Sequence, residues 1–215
     1  MEFRLIYKGP LPSEGSGGSR TKEKHALRKH FNGQLRELWN QHPDLKQQAK
    51  QRFITRPGVY PPGSLDAEPV PDDHPEGKTH LERIADDYQR FGGRFVPIVR
   101  KGGSLTCSLE ILFLRRDNPG HIIASGGDID NRLKVLFDGL RMPNNEQELG
   151  GFVLEPDENP FFCVVEDDEL ITNVSVTTDR LLTVPDPGEK PHDVFLVIHV
   201  KVVNQSALFA GGRLL

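Results

Sequence analysis

The chain has 215 residues, 36% of them hydrophobic, with 17 Pro, 21 Gly and a formal net charge of −4. It is long enough to bury a sizeable core, and no apolar run reaches the roughly 20 residues of a membrane helix, which excludes a helical membrane span. Its two cysteines, Cys107 and Cys163, each sit in an apolar strand-like run, and no Cys/His cluster has zinc spacing; reduced, buried thiols in a cytoplasmic protein are expected, not a disulfide framework or a structural zinc.

Residues 2–8 alternate as a strand that ends at Gly9-Pro10-Leu11-Pro12, without the apolar core of a signal peptide. Residues 13–20 read as a flexible loop. From Thr21 to Asn40 the pattern is helical, with Ala26, Leu27, Phe31, Leu35, Leu38 and Trp39 on the apolar side. Lys22, Lys24, Arg28, Lys29 and Arg36 add positive charge to it and are candidate phosphate contacts; a solvated basic face is the alternative. A second short helix is expected from Asp44 to Phe53. Residues 56–78 hold six prolines and read as a long loop or extended linker.

The spacing then predicts a helix from Thr79 to Phe91, stopped by Gly92-Gly93. Two strands follow, Arg94–Arg100 and Ser104–Arg115, joined at Lys101-Gly102-Gly103. The second becomes a continuous apolar run and reads as central. Arg115 and Arg116 stand at its end as further candidates for holding a nucleic-acid backbone. Asp117–Gly127 is a loop.

That loop leads into Gly126-Gly127-Asp128-Ile129-Asp130-Asn131-Arg132-Leu133-Lys134-Val135-Leu136-Phe137-Asp138. Ile129, Leu133, Leu136, Phe137 and Leu140 mark the buried face of a helix. Asp130, Lys134 and Asp138 recur every four residues on another face and can neighbour one another. Asp128 lies where an aspartate can cap free N–H groups. Carboxylates and a lysine on one rigid element suit a divalent metal and a phosphate; a capped amphipathic helix with an intrahelical ion pair is the plainer reading.

Arg141–Pro160 reads as a loop, and Phe161–Val165 as a short buried strand running into Glu166-Asp167-Asp168-Glu169. Four adjacent acids repel more strongly as water is removed. A bound cation relieves that, and Mg²⁺ sites use one or two carboxylates plus substrate phosphate oxygens; an acidic turn in free water is the alternative. Leu170–Leu182 and Asp193–Val203 alternate as strands, with His199 a sheet residue, and 207–215 is a loose tail. Overall charge is uneven: residues 1–56 carry 12 Lys and Arg against 5 Asp and Glu, and residues 128–215 carry 7 against 16. A basic half beside an acidic half fits a phosphate-binding arm next to a metal site, and also fits two solvated faces.

The pattern Asp128-x-Asp130-Asn131-x-x-Lys134-x-x-x-Asp138, followed by Asp167-Asp168-x-x-Ile171, resembles the RusA family of Holliday-junction resolvases. The opening strand and its Gly-Pro-Leu-Pro-Ser turn resemble the family's start more loosely. The resemblance implies a mixed α/β (α+β) fold in which a mixed β-sheet packs with helices. It implies a single nuclease domain over residues 1–215, with 20–92 as an inserted basic helical and proline-rich region. It further implies a homodimeric, cytoplasmic, bacterial or phage-encoded endodeoxyribonuclease acting on branched DNA. Mg²⁺ is the implied metal, with Mn²⁺ as a substitute. Carried over residue by residue, Asp128, Asp130 and Asp168 are the metal-binding carboxylates, and Lys134 matches the catalytic lysine. Asp167, Asn131 and Asp138 match surrounding positions, Asp167 as a further metal ligand and Asn131 as a nucleic-acid contact. The sequence departs from the family in its longer Arg141–Pro160 loop and in residues 20–92, which do not align. A binding module without hydrolysis, and an interaction protein whose acids serve solubility, remain the readings from other classes.

Overall fold

The computed structural model describes residues 1–13, 20–54, 68–71, 74, 77–116, 129–190 and 193–204. The 13–20 loop (apart from its ends), most of the proline-rich stretch, the 117–127 loop and the C-terminal tail lie outside the described residues.

Period-two alternation builds the main sheet. In β1 (Glu2–Pro10), Phe3, Leu5 and Tyr7 are buried while Arg4, Ile6 and Lys8 are exposed. The order is β1-β10-β7-β9, with β7 at Leu105–Arg115, β9 at Ile171–Arg180 and β10 at Asp193–Asn204. β1 and β7 both flank β10 antiparallel, whereas β7 and β9 run parallel. The apolar β7 thus lies inside the sheet, as expected. Register carries the buried residues across it in rows: Phe3, Val200 and Leu109; Leu5, Ile198 and Ile111; Tyr7, Leu196 and Phe113. His199 faces the other way as a sheet residue, its Nε2 3.0 Å from Glu2 and its Nδ1 3.2 Å from Glu110. β1 is an edge, and α1 (Thr21–Gln41) closes it. Gln34 Oε1 accepts from the Ile6 amide at 2.9 Å while Gln34 Nε2 donates to the Ile6 carbonyl at 2.7 Å. A side-chain amide thus occupies the main-chain groups that a foreign strand would use.

α1 buries Leu27, Phe31, Leu35 and Trp39 in the same core as β1, β7 and β10. Burial of each of Leu27, Phe31 and Leu35 contributes roughly 1.5–3 kcal/mol. Ala26, by contrast, is exposed and Leu38 only half-buried. The helix packs on α4 (Ile129–Leu140) and on β8 (Phe161–Val165). At Gly139 a Cβ would lie 2.8 Å from the Leu27 Cβ, so this glycine sets how closely α1 and α4 approach. Asn32 is buried and its Oδ1 accepts from the Phe162 amide at 2.9 Å.

The two strands expected at Arg94–Arg100 and Ser104–Arg115 belong to different sheets. β6 (Gly93–Val99) pairs parallel with β8 and antiparallel with β5 (Gln89–Arg90). Both β6 and β8 are buried almost throughout, which is why they read as continuous apolar runs. The helix expected to reach Phe91 is α3 (His80–Asp87), opened by a Thr79–Glu82 capping box. Gln89 and Arg90 leave it to pair with Arg94 and Gly93, and the turn between them has positive φ at Phe91 and Gly92. The helix expected from Asp44 to Phe53 ends earlier, as α2 (Pro43–Lys50). Its intended end is β2 (Arg52–Ile54), which pairs with β3 (Glu68–Val70) and β4 (Lys78–Thr79). Those partners are remote in sequence, so local periodicity could not reveal them.

Both thiols are buried and unpaired, and burial pushes each up to about 12. No helix among the described residues is long and apolar enough to cross a membrane.

His25 on α1 is 1% exposed, stacked on Phe152 with ring centroids 5.0 Å apart, and neither ring nitrogen has a hydrogen-bond partner among the described residues. Burial, reinforced by Arg28 and Lys29 and opposed by Glu158, lowers its pKa from 6.5 to about 4. The folded state therefore favours neutral imidazole, and the unfolded chain binds the extra proton. Stability is full above pH 6.5 and declines as pH falls through the window down to about 4, by up to about 3 kcal/mol. Denaturant midpoints across that window should show the decline in wild type and a shallower one in His25→Phe. Equal slopes for the two proteins would reject the assignment to His25.

Candidate active site

α4 holds the first half of the site. Val135, Leu136, Gly139 and Leu140 are buried along one side, while Asp130 and Lys134 stand exposed on the other. The Arg132 guanidinium, also buried, donates to the Leu11 carbonyl and ties the helix to the turn after β1. Lys134 Nζ lies 3.5 Å from Asn131 Oδ1. The expected ladder Asp130–Lys134–Asp138 does not form. Asp138 is taken inward, 2.8 Å from Lys24 Nζ, and accepts from Arg141 Nε at 2.9 Å. Asp128 and the two glycines before it lie outside the described residues.

β8 delivers the second half. Glu166, the residue that follows it, is 7% exposed and accepts from the Lys101 amide at 2.8 Å and from Arg90 Nη2 at 3.3 Å. The Glu166 amide donates to the Val99 carbonyl at 2.8 Å. Glu166 is therefore the fastening of the turn to β6, not a free acid. Asp167 caps a single 3-10 turn, Asp168–Leu170, its Oδ1 accepting from the Glu169 amide at 3.2 Å. Asp167 Oδ2 is 3.1 Å from Lys101 Nζ, which also reaches Glu169 at 2.7 Å.

The Asp167 and Asp168 side chains are hydrogen-bonded to one another. Burial and then that bond push the Asp168 carboxyl above its usual range, with the Arg141 charge opposing. Burial also acts to raise Asp167, but hydrogen bonds from Lys101, the Glu169 amide and Asp168 outweigh it and hold Asp167 below its usual range. Carboxyl oxygens of this kind are the donors that a hard cation such as Mg²⁺ prefers.

α4 is in contact with the turn at Asp168–Leu170, so the elements that carry the two motif halves are neighbours. No group of three or more His, Cys, Asp or Glu converges in metal-binding geometry among the described residues. The structure therefore unites Asp167 with Asp168, and Asn131 with Lys134, but does not close a three-carboxylate centre from the residues it describes.

The basic residues on α1 are arranged differently from the expected phosphate-binding face. Arg28 is 1% exposed; its Nε donates to the Arg141 carbonyl at 3.0 Å, Nη1 to the Glu148 carbonyl at 3.2 Å and Nη2 to the Asp138 carbonyl at 2.7 Å. Those three bonds satisfy the carbonyls at and beyond the end of α4, which have no intrahelical partner. Lys24 is engaged with Asp138, and Lys29 lies 2.8 Å from Glu158. Arg36 donates to the Asp157 carbonyl and lies over the Phe162 ring, 5.9 Å from its centroid. Arg115 is 4% exposed, and Arg116 pairs with Glu189 at 2.6 Å. Lys22 alone of the five α1 residues is exposed as a whole residue. Arg28 is thereby corrected from a phosphate contact to a structural one, because a guanidinium spent on buried carbonyls has no donors to offer. Lys24, Lys29, Arg36 and Arg116 are likewise committed to internal partners.

Lys101, which was not among the expected site residues, pairs with Asp167 and Glu169 of the acidic turn. Its sequence context, a lone lysine before Gly-Gly at the end of an apolar strand, marks a turn and carries no hint of the acids 66 to 68 residues later. No family model, curated protein or solved structure matches the chain.

Proposed function

We propose that the chain is a metal-dependent endonuclease that hydrolyses DNA phosphodiesters, with branched DNA as its substrate class and a second copy of itself as its partner. The observation that carries this reading is the contact between α4, with Asp130 and Lys134 exposed on it, and the turn that holds Asp167 and Asp168. The resemblance of the two acid motifs to the RusA family supports it from the sequence side.

In this reading Asp130 and Asp168, with Asp128, hold Mg²⁺. A bound Mg²⁺ polarises a phosphate oxygen and lowers the pKa of water, supplying hydroxide near neutral pH. Lys134 stands one helical turn after Asp130, where its ammonium neutralises charge developing on the scissile phosphate. Asn131, 3.5 Å from the ammonium, orients it. Glu166 keeps the turn fastened to β6, so the carboxylates stay in place as charge changes. Two copies of the chain would supply the two cuts that symmetric resolution of a four-way junction needs.

The test is cleavage of matched four-way junction, flap, duplex and single-stranded DNA, with and without Mg²⁺. Metal-dependent cleavage with preference for the branched forms is expected. No cleavage of any form with Mg²⁺ or Mn²⁺, alongside tight salt-sensitive binding, would instead make the chain a binding module.

A further inference from the structure

β9 is the second edge of the main sheet, and it stands open where β1 is closed. Among the described residues it pairs with β7 alone. Its sequence, Ile171-Thr172-Asn173-Val174-Ser175-Val176-Thr177-Thr178-Asp179-Arg180, is rich in β-branched residues. It holds neither lysine nor proline, the residues that commonly blunt an edge. We propose that β9 pairs antiparallel with β9 of a second copy of the chain, across a twofold axis at Val176, so that two four-stranded sheets become one. This gives the second copy in the reading above its surface; it rests on the dimer half of that reading and not on hydrolysis.

The direction of the main-chain groups sets the register. The Leu181 amide donates to the Arg115 carbonyl at the end of β7 at 2.7 Å. β9 follows β7 without a register shift from Asn173 to Arg180. Main-chain groups alternate sides along a strand, so the odd-numbered residues address β7. The amides and carbonyls of Val174, Val176 and Thr178 therefore point away from the sheet, and they have no partner among the described residues. With Val176 opposite the partner's Val176, Val174 lies opposite the partner's Thr178. Each of the three then exchanges both of its hydrogen bonds. A centre at Val174 would set Thr178 against the partner's Leu170, before the strand begins. A centre at Thr178 would set Val174 against the partner's Leu182, past its end.

The side chains agree with this register. Leu109, Ile111 and Phe113 are buried on β7, and their neighbours on β9 are Val174, Val176 and Thr178. Val174 is 39% exposed, so a core row of the sheet ends in water at this edge. In the pair, Val176 meets the partner's Val176 and Val174 meets the partner's Thr178, which carries the rows through the axis. Cross-strand pairs of β-branched residues stabilise a sheet. On the other face Asp179 falls opposite the partner's Asn173, so no like charges meet. A self-complementary contact of this kind closes after two copies.

Sedimentation velocity of the full chain should show a dimer at micromolar concentration. Val176→Pro removes the outward amide and no bond to β7, a substitution that edge strands tolerate. It should raise the dimer dissociation constant by at least about tenfold, since both bonds across the axis are lost. A cysteine pair reads the register independently. Both native thiols are buried. Under mild oxidation Val176→Cys should cross-link to a covalent dimer, because residues facing each other in such a pair are within disulfide reach. Thr178→Cys faces Val174 and should cross-link little. The cysteine pair decides the question even if Val176→Pro fails to fold. Equal cross-linking of the two cysteine variants, or an undiminished dimer in folded Val176→Pro, puts the contact elsewhere and overturns the proposal. A monomeric wild type overturns it together with the dimer of the reading above, and leaves the cleavage test standing.

Discussion

Asp130→Asn is expected to lower DNA cleavage by at least about a thousandfold, equivalent to about 4 kcal/mol of barrier, while the protein stays folded. The asparagine keeps the size of the side chain and loses the charge that holds a cation. Asp130 is exposed in the first turn of α4, and no hydrogen bond or ion pair of its carboxylate appears among the described residues. The remaining structural loss is its interaction with the positive end of the helix dipole, about 0.3–1 kcal/mol. Single-turnover cleavage and a melting curve separate the two effects. Near-wild-type cleavage by this variant would sink the assignment of Asp130 to the metal. A large drop in melting temperature would show instead that the carboxylate is structural.

The reverse pattern is expected for Arg28→Met. Its guanidinium is buried and bonded to three carbonyls, with Glu148 Oε2 a further 3.4 Å partner. Methionine keeps much of the stem's bulk but strands the carbonyls of Asp138, Arg141 and Glu148 and leaves Glu148 one cation fewer. Breaking a buried charged pair in this way costs about 3–5 kcal/mol, read as a lower urea midpoint at unchanged slope. DNA binding by the fraction that remains folded should keep its salt slope, since no phosphate contact is lost. A stable variant with a reduced slope would restore Arg28 to the phosphate-binding role that its place on a basic helix suggested.

These two substitutions bracket what charge does on neighbouring elements. On α4 the outward acid Asp130 has no ion-pair partner among the described residues. On α1 two of the five basic residues, Lys24 and Arg28, are consumed in holding α4. Lys24 and Arg141 grip Asp138, Arg141 reaches Glu148 at 3.0 Å, and Arg28 takes the carbonyls between them. Such a network gives α4 a fixed seat, which any chemistry based on Asp130 and Lys134 would need. Residues 20–92 read in sequence as an inserted basic helical and proline-rich region of a single domain. Their first helix shares the core with the main sheet through Leu27, Phe31, Leu35 and Trp39.

Local pattern alone determined much of this protein. Alternation placed β1, β9 and β10, because a sheet with one buried face demands period two. The 3.6-residue period placed α1 and α4, because their apolar stripes must face a core. A continuous apolar run marked β7 as central, and a short apolar run marked β8 as buried. The acids of α4 and of the turn after β8 were legible as two clusters, since like charges packed at the ends of apolar segments are conspicuous. Only the tertiary structure decided which charges meet. Asp138 is four residues from Lys134, yet it pairs with Lys24, more than a hundred residues away, because the buried face of α4 turns it inward. Lys101 reaches Asp167 and Glu169 because β6 and β8 run parallel and bring their C-terminal ends together. Sequence spacing reports neighbours along one helix or strand; the partner of a charge is set by the elements that pack against it.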